Sequence, residues 1–405
     1  MVRHDLSTIA VVGASLAGLR AAETLRSEGF AGHLVLVGAE PHLPYDRPPL
    51  SKQFLAGTWG FERVQLRDRA KIDALGLDLC LGHRAVSLDA QARRIELDDG
   101  GTISYDGLVV ATGAHPRRPP GTDGMGGVHT LRTVDDARAL SADLGEGGAR
   151  VVVVGAGFIG SEVAATCLGR GAQVTVVETL PVPLGRVLGE EMGAACAALH
   201  IDHGVALRTG VALSAVHGDG GRVRAVELTD GTVLDADVVV IGIGVTPTTD
   251  WLAGSGVPVD DGVVTDPRLF AADGVVAAGD VARWQDATSG EYRRIEHWTN
   301  AAEQAVVAAR NLLAGPDAAV GYEPVPYFWS DQYDVKIQVL GDPRPDDTVV
   351  VVDGSVDERR FVALYGRGGM LRAVVGFNRP RQLMAYRPLL ERRAGFDEAL
   401  SYRPG

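Results

Sequence analysis

Short apolar runs, each followed by a turn rich in glycine, recur along this chain of 405 residues. The runs at 9–12 and 151–154 contain no polar residue, which is typical of strands buried on both faces of a parallel sheet. An alanine-rich stretch follows each run and predicts a helix that packs against the sheet. The order of strand and helix therefore predicts an α/β fold.

Both runs lead into a turn of the form that binds a dinucleotide. The turns are Gly13-Ala14-Ser15-Leu16-Ala17-Gly18 and Gly155-Ala156-Gly157-Phe158-Ile159-Gly160. Each is followed by a second short strand that ends in an acid, Glu40 in one case and Glu178 in the other. Such a turn aims backbone N–H groups and a helix N-terminus at a pyrophosphate, and the acid accepts hydrogen bonds from a ribose. Two complete copies predict two nucleotides on one chain, which suggests a flavin beside a nicotinamide.

A second pair of matching segments indicates that the two halves are a diverged duplication. An Asp-Gly hairpin signal at 99–100 leads to the apolar run 108–111, and another at 230–231 leads to 238–241. Gly113 and Gly244 follow these runs and let the backbone pass close to a nucleotide. The repeat predicts two nucleotide-binding modules, with the second inserted into the first.

Towards the C-terminus the pattern changes to short strands and tight turns. A strand at 275–277 and a helix near 300–313 complete the first module. The sequence then predicts strands at 336–340, 348–352, 361–365 and 371–377 and a closing helix from about 381 to 393. This arrangement is typical of a small α+β domain.

Composition and charge exclude several classes of partner. The chain is 46% hydrophobic and 22% charged, which is typical of a soluble globular protein. Its net charge of −13 argues against nucleic acid and anionic membranes as partners. The longest apolar run, 238–245, is too short to span a bilayer, and the segment before the first strand is short and polar. These features predict a cytoplasmic protein.

The cysteines and histidines predict neither a redox disulfide nor a metal site. Cys80, Cys167 and Cys196 form no C-x-x-C pair, and no cysteine lies between 40 and 50, where a thiol-based NADH peroxidase needs one. We expect Cys167, in an alanine-rich helix, to be buried and inert. His200 and His203 have helical spacing, but further metal ligands are not evident, so no metal is predicted.

Six further motifs extend over the chain. They are Arg47-Pro48-Pro49-Leu50-Ser51-Lys52, Ala111-Thr112-Gly113, Leu131-Arg132-Thr133, Ala278-Gly279-Asp280, Trp298-Thr299-Asn300-Ala301 and Trp329-Ser330-Asp331-Gln332. With the two glycine-rich turns, they make nearly the whole chain resemble the FAD-dependent ferredoxin reductases of bacterial oxygenase systems. The resemblance implies a glutathione-reductase-like fold with two Rossmann-type domains and a small C-terminal α+β domain. It implies an FAD-binding domain at 1–117 and 247–323, an NAD-binding domain at 118–246, and a domain at 324–405 that covers the flavin edge.

The motifs and the resemblance together assign residues to each cofactor. Ser15 stands where the strict motif has glycine, but its hydroxymethyl group is small enough to leave the site intact. The residues assigned to FAD are Gly13, Ser15, Leu16, Ala17, Gly18, Glu40, Arg47, Lys52, Ala85, Thr112, Gly113, Arg132, Gly279, Asp280 and Trp298. The residues assigned to NADH are Gly155, Gly157, Phe158, Ile159, Gly160, Glu178, Arg186 and Gly244.

Three of the residues are candidates for a catalytic role. The resemblance implies that Lys52 stabilises negative charge on the reduced flavin and that Trp298 lies at the isoalloxazine ring. Spacing alone would explain Lys52 as a surface lysine after a turn. The resemblance also points Glu162 at the nicotinamide and at Lys52, although an acid near a helix N-terminus is equally explained by the helix dipole.

Glu178 decides the choice of nicotinamide cofactor. A carboxylate at this position accepts from both ribose hydroxyls and repels a 2′-phosphate. Arg186 is a counter-argument because an arginine near this loop can bind a 2′-phosphate. The family resembled here has an arginine at this place in members that use NADH, so we predict NADH.

The resemblance implies a reductase that transfers a hydride from NADH to FAD and then single electrons to a [2Fe–2S] ferredoxin. The ferredoxin would supply a cytochrome P450 or a Rieske oxygenase. A rubredoxin reductase, or a redox-switched signalling flavoprotein like apoptosis-inducing factor, is the alternative. The oligomeric state expected is a monomer or a weak homodimer.

The C-terminal segment 359–393 is locally basic. It contains nine arginines against Glu391 alone, which would attract an acidic ferredoxin. The alternative is that these arginines pair with acids of other domains or of a dimer mate.

We expect tightly bound FAD and activity that does not depend on thiols, because the nucleotide motifs are intact and no cysteine pair exists. Replacing Cys80, Cys167 and Cys196 together by serine should preserve NADH-to-dye activity in folded protein, measured by steady-state kinetics. Purified protein without flavin absorbance, or a folded triple variant without activity, would contradict this prediction.

Overall fold

The computed structural model describes residues 6–287 and 289–403. In this part of the chain there are ten helices, with further 3₁₀ turns at Pro48–Ser51 and Asp250–Leu252: α1 (Leu16–Ser27), α2 (Phe61–Val64), α3 (Arg69–Asp73), α4 (Val134–Leu144), α5 (Phe158–Gly169), α6 (Gly185–Asp202), α7 (Trp298–Ala314), α8 (Pro380–Met384), α9 (Arg387–Glu391) and α10 (Phe396–Ser401). The strands of the same residues are β1 (Thr8–Val12), β2 (His33–Gly38), β3 (Asp78–Leu81), β4 (Ala85–Asp89), β5 (Arg94–Leu97), β6 (Thr102–Ser104), β7 (Gly107–Val110), β8 (Ala114–Pro116), β9 (Val128–His129), β10 (Arg150–Val154), β11 (Gln173–Glu178), β12 (Ala206–Thr209), β13 (Leu213–Asp219), β14 (Arg222–Leu228), β15 (Val233–Asp235), β16 (Val238–Ile241), β17 (Val245–Pro247), β18 (Val263–Thr265), β19 (Phe270–Ala272), β20 (Val275–Ala277), β21 (Ala282–Gln285), β22 (Tyr292–Arg293), β23 (Tyr327–Gln332), β24 (Val335–Gly341), β25 (Thr348–Ser355), β26 (Arg360–Arg367) and β27 (Met370–Phe377).

The chain divides into two compact units, each made of three segments. The first unit comprises Met1–Asp46, Phe61–His115 and Val245–Pro324, and the second comprises Arg47–Gly60, Pro116–Gly244 and Val325–Gly405. Each unit contains one of the two glycine-rich turns.

The first unit is built on a six-stranded sheet in the order β19-β20-β7-β1-β2-β3. Strand β1 lies parallel to β2 and β7, and only β19 is antiparallel to its neighbour. Ile9 and Val11 face a core shared with α1 and α7, whereas Ala10 and Val12 face a second core that includes side chains of β4 and β5. Both faces of β1 are therefore buried, which explains why its apolar run has no polar residue.

The second unit repeats this construction with a five-stranded parallel sheet in the order β12-β11-β10-β16-β9. Val151 and Val153 of β10 pack with side chains of α4 and α5. Val152 and Val154 pack with side chains of β14 on the opposite face. The same burial pattern in two sheets agrees with the predicted duplication.

The C-terminal part of the second unit is an antiparallel sheet in the order β23-β24-β27-β26-β25. One face packs against α6, where Leu188, Met192 and Cys196 meet Phe361 and other side chains of the sheet. Side chains of α8, α9 and α10 cover the other face. Among the described residues, no helix combines the length and the apolar character that crossing a membrane requires.

The four strands predicted in this region are present as β24–β27, but the prediction of one closing helix was wrong, and one further strand is present. The closing helix predicted from about 381 to 393 is two short helices, α8 and α9. Pro388 lies in the first turn of α9 and cannot donate to the carbonyl of Met384, where α8 ends. Strand β23, which holds the Trp329-Ser330-Asp331-Gln332 motif, was not predicted as a strand.

Candidate active site

The first glycine-rich turn brings the ends of β1 and β7 against the start of α1. A Cβ atom on Gly13, whose φ is +119°, would lie 2.0 Å from the carbonyl oxygen of Ala111 and 2.9 Å from the amide of Thr112. A Cβ on Gly18 would lie 1.8 Å from the carbonyl oxygen of Gly13. No side chain fits at either position, and Gly113 follows this crossing with positive φ.

The loop after β20 closes the same place from the other side. A Cβ on Gly279 would lie 3.1 Å from the Cβ of Ala17, and the Gly279 amide donates to Oε1 of Gln304 at 2.9 Å. Asp280 comes next, and Ser15 is the N-cap residue of α1. The carboxyl ends of β1, β7 and β20 thus meet a helix N-terminus, the position at which open α/β sheets bind ligands.

The predicted ribose acid, Glu40, follows the end of β2. A Cβ on Gly38 would lie 2.6 Å from the Cβ of Ala14, so the end of β2 lies against the glycine-rich turn. The carboxylate of Glu40 accepts a hydrogen bond from the hydroxyl of Tyr45. Ala85, also assigned to FAD, is buried at the start of β4 among side chains of the second core.

Trp298 begins α7 and is half-buried. Its indole Nε1 donates to Oδ1 of Asp46 at 2.6 Å, which fixes the direction of the ring. This partner could not be predicted from local sequence, because the two residues are 252 positions apart.

The second glycine-rich turn has the geometry of the first. A Cβ on Gly155 would lie 2.4 Å from the carbonyl oxygen of Gly242, and one on Gly160 would lie 2.0 Å from the carbonyl oxygen of Gly155. Gly157 differs, because a Cβ there would have no atom within 4 Å. The backbone is therefore open at Gly157, and a pyrophosphate can approach the N-terminus of α5 there.

Glu178 is held against this second turn. Its Oε2 accepts from the amide of Ala156 at 2.7 Å, and its Oε1 accepts from the amide of Leu180 at 3.0 Å. Arg186 is exposed in the first turn of α6, and Gly244 has positive φ in the loop after β16. The structure thus places the predicted ribose acid beside the predicted pyrophosphate site.

Phe158 and Ile159 open α5 with opposite environments. The Phe158 ring packs edge-on against Phe328 of β23, with 4.6 Å between the ring centroids. Ile159 is 48% exposed and is available to a ligand. The contact of Phe158 is a packing contact with the C-terminal sheet.

Lys52 and Glu162 form a buried ion pair. The distance from Nζ of Lys52 to Oε2 of Glu162 is 2.6 Å, and their side chains are 10% and 2% exposed. The ammonium also donates to the carbonyl of Pro48 at 3.0 Å. Two hydroxyls donate to the same carboxylate, Ser51 to Oε2 at 2.5 Å and Ser330 to Oε1 at 2.7 Å. A surface lysine after a turn, the simpler explanation of Lys52, does not agree with this burial.

Arg47 and Arg132, both assigned to FAD, lie together in the second unit. The Arg47 guanidinium donates to the carbonyl oxygen of Arg132. The Arg132 amide donates to the carboxylate of Asp136, whose side chain also completes the capping box of α4. This contact anchors the Arg47-Pro48 motif to the start of α4.

His200 and His203 have separate roles in packing. His200 is fully buried between the hydroxyl of Tyr333, 2.7 Å from Nδ1, and the hydroxyl of Ser161, 3.2 Å from Nε2. Burial, and then the nearby His203, lower the pKa of His200 to about 4, so its ring is neutral at pH 7. His203 stacks on the ring of Tyr333 with 4.1 Å between centroids.

Ser51 and Ser330 were missed as site residues, although both lie in quoted motifs. Motif membership was the only available signal, because Ser330 is 168 positions from Glu162 in sequence. The expected burial of Cys167 is confirmed. Burial raises the pKa of the Cys167 and Cys196 thiols to about 12, which makes both inert at neutral pH.

Comparison with known proteins establishes the family. The family model for pyridine nucleotide-disulphide oxidoreductases matches residues 7–305, about three quarters of the chain, and a model for the reductase C-terminal domain matches residues 327–403. The chain belongs to the pyridine nucleotide-disulphide oxidoreductase family.

Similar proteins within this family share nearly the whole chain. Rhodocoxin reductase of Rhodococcus erythropolis is 39% identical over 95% of this chain and 89% of its own length. The ferredoxin–NAD(+) reductase component of the anthranilate 1,2-dioxygenase system of Burkholderia cepacia is 40% identical over 94% of this chain and 93% of its own. The crystal structure of the covalent putidaredoxin reductase–putidaredoxin complex has a TM-score of 0.92 at 32% identity, and covers 98% of this chain and 96% of its own.

These findings confirm the resemblance to ferredoxin reductases of oxygenase systems and the glutathione-reductase-like α/β fold. FAD and NADH are the cofactors of such reductases. The chain fits both, because each unit offers a helix N-terminus and a crossing that only glycine can occupy. The roles of individual residues stay predictions.

We predict that Gly157→Ala weakens NADH binding without affecting the fold. The added Cβ meets no protein atom, but it enters the space through which a pyrophosphate reaches the backbone. The apparent Kd of NADH, obtained from the dependence of the flavin reduction rate on NADH concentration in stopped-flow kinetics, should rise about tenfold, which is about 1.4 kcal/mol.

Gly169→Ala is the matched control, because Gly169 ends the same helix and a Cβ there also meets no atom within 4 Å. Gly169→Ala should leave the Kd unchanged. If Gly157→Ala binds NADH as tightly as the wild type, the pyrophosphate does not approach this turn.

Proposed function

We propose that this chain is an NADH:ferredoxin reductase that supplies single electrons to a [2Fe–2S] ferredoxin of a cytochrome P450 or Rieske oxygenase system. The observation that carries the proposal is the pair of matching glycine crossings, one in each unit. Hydride transfer from NADH to FAD needs a binding site for each of these two dinucleotides. The names of the similar proteins, which include ferredoxin reductases of oxygenase systems, support the choice of acceptor.

FAD would be held in the first unit by the turn Gly13–Gly18, with Glu40 on the adenosine ribose and Gly279-Asp280 on the opposite side. When bound, FAD takes up a hydride from NADH and releases the two electrons one at a time. Trp298, oriented by Asp46, would contact the isoalloxazine. The domain limits 1–117 with 247–323, 118–246 and 324–405, with the last covering the flavin edge, belong to this proposal.

NADH would be held in the second unit by the turn Gly155–Gly160. Glu178 would accept hydrogen bonds from the ribose hydroxyls, since two backbone amides fix its carboxylate beside the turn. A negative charge at this place repels a 2′-phosphate.

Lys52 and Glu162 would act together in hydride transfer. The ammonium of Lys52 would stabilise negative charge on the flavin when FAD is bound and reduced, and Glu162 would keep the ammonium in place. The 2.6 Å ion pair and its burial support this role, because a buried ammonium without a partner would be costly.

Eight of the nine arginines of segment 359–393 divide into two groups. Five form ion pairs and are not free to attract a partner: Arg359 with Asp202, Arg367 with Asp347, Arg379 with Asp353, Arg387 with Glu391, and Arg392 with Glu398. Asp202 lies in the predicted NAD-binding domain, so the alternative interpretation applies to Arg359, whereas the other four arginines pair with acids of the predicted C-terminal domain itself. Arg360, Arg372 and Arg381 are exposed, and we propose that they attract an acidic ferredoxin.

A cytoplasmic location and a monomer or weak homodimer complete the proposal. NADH and ferredoxin are carriers of the cytoplasm, and the net charge of −13 opposes self-association.

We predict that the wild type favours NADH over NADPH at least tenfold in kcat/KM, which is about 1.4 kcal/mol. Glu178→Ala should narrow that ratio mainly by weakening NADH. Glu178→Gln is the sharper variant, because it removes the charge and retains an oxygen that can accept from the Ala156 amide, with loss of the hydrogen bond from the Leu180 amide. It should gain NADPH activity with unchanged FAD content. Equal use of the two cofactors by the wild type would contradict the role of Glu178.

We predict that ferredoxin reduction slows steeply with added salt, whereas NADH reduction of the flavin changes little. Exposed charges are screened over roughly 8 Å at physiological ionic strength. Arg372→Glu and Arg381→Glu should raise the KM for ferredoxin and leave the hydride step unaltered, as measured by stopped-flow kinetics.

Arg224→Glu is the matched control, because Arg224 is an exposed strand arginine outside this segment. It should not change the KM for ferredoxin. Salt-insensitive kinetics together with silent reversals at Arg372 and Arg381 would show that these arginines do not attract the carrier.

A further inference from the structure

The carboxylate of Glu162 has a donor on each oxygen. Lys52 and Ser51 donate to Oε2, and Ser330 is the donor to Oε1. Glu162 is 2% exposed and Ser330 is fully buried, so bulk water does not compete with the Ser330 hydroxyl for the carboxylate. Hydrogen bonds to an ionised group are the strong ones, and they hold its geometry most firmly.

The direction of the Ser330 hydroxyl is also fixed. Nε2 of Gln332, which can only donate, lies 3.2 Å from the Ser330 oxygen. The Ser330 oxygen therefore accepts from Gln332, and its single proton points to Glu162. Ser330 and Gln332 are two positions apart on β23, so both side chains lie on the same face of the strand.

We propose that Ser330 is a positioning residue, which holds the Glu162 carboxylate against the Lys52 ammonium through a hydroxyl oriented by Gln332. The C-terminal sheet thereby supplies the hydroxyl that donates to Oε1 of Glu162. This inference rests on the proposed role of Lys52 and Glu162 in hydride transfer.

Ser161 offers a matched control for Ser330. It precedes Glu162 on α5 and is fully buried, but its hydroxyl lies 3.2 Å from Nε2 of His200 and is not among the hydrogen-bond donors to the Glu162 carboxylate in the described structure. Ser161→Ala removes a buried hydroxyl of the same kind close to the ion pair. A merely structural effect would be common to both variants.

The first test measures the ion pair directly, through acetylation of the lysines of the FAD-bound protein. The chain has only Lys52, Lys71 and Lys336, so mass spectrometry can follow each one. Lys71 and Lys336, with 69% and 47% exposed side chains, are internal references. Ser330→Ala should speed the acetylation of Lys52 about threefold, because a displaced carboxylate stabilises the unreactive ammonium less.

Ser330→Thr retains the hydroxyl and should react as the wild type does. Ser161→Ala should leave the Lys52 rate unchanged. An equal increase in Ser161→Ala, or no increase in Ser330→Ala, would overturn the proposal. If Ser330→Ala does not fold, Ser330→Cys, whose thiol is a weak donor, should still speed the acetylation of Lys52, and an unchanged rate would overturn the proposal.

The second test is a double-mutant cycle on flavin reduction by NADH in stopped-flow kinetics. Ser330→Ala should lower the limiting rate about fivefold with the Kd of NADH unchanged, and it should add nothing in a Glu162→Gln background. Additive effects would show that Ser330 does not act through Glu162. If Glu162→Gln and Lys52→Met are themselves silent, the proposed function of the pair fails instead, and the acetylation test still decides the position of Glu162.

Discussion

The negative charge of Glu162 must be stabilised away from water, and three parts of the second unit converge on it. A buried carboxylate is costly unless its oxygens accept hydrogen bonds and a cation lies close. The turn Pro48–Ser51 and Lys52 provide the cation and one hydroxyl, α5 carries the carboxylate, and β23 provides the second hydroxyl. A shift of any of these segments would leave the ammonium or a carboxylate oxygen without a partner, so these contacts constrain their mutual geometry.

The glycine-rich turns impose a constraint of a different kind. At Gly13 and Gly155 a side chain would overlap the carbonyl oxygen of a neighbouring strand end. The close approach of backbone to backbone leaves amide groups as the main binding surface at the helix N-terminus, and amides suit a pyrophosphate of any dinucleotide. Specificity must then come from side chains at the edge of the turn. Glu178 is held there by two amides, so its charge is fixed before a ligand arrives.

Local sequence predicted the features that depend on neighbouring residues. Apolar runs, glycine spacing and the terminal acids identified both nucleotide modules, because each signal lies within about 30 residues of chain. The partners of Glu162 and Trp298 could not be deduced in this way, since they are joined only by the fold. Counting charges along segment 359–393 did not reveal its ion pairs, for a related reason. The sequence between 359 and 393 lacks acids except Glu391, but Asp202, Asp347 and Asp353 pair with its arginines from outside. The prediction of one helix from about 381 to 393 was wrong for a local reason, because Pro388 interrupts the helical hydrogen bonds.

The geometry of the hydrogen bond from Ser330 to Glu162 depends on the contacts that hold the C-terminal sheet in place. One face of this sheet shares a hydrophobic core with α6, and the hydroxyl of Tyr365 donates to the carbonyl of Leu188 at 2.9 Å. That carbonyl precedes Gly189, where α6 leaves helical geometry and packs close to Pro345. Phe328 packs on Phe158 two positions before Ser330. Close-packed cores leave their side chains little room to shift, so these contacts determine the position of β23 relative to α5. A polar group used for positioning needs such packing, because a hydrogen bond weakens within a few tenths of an ångström.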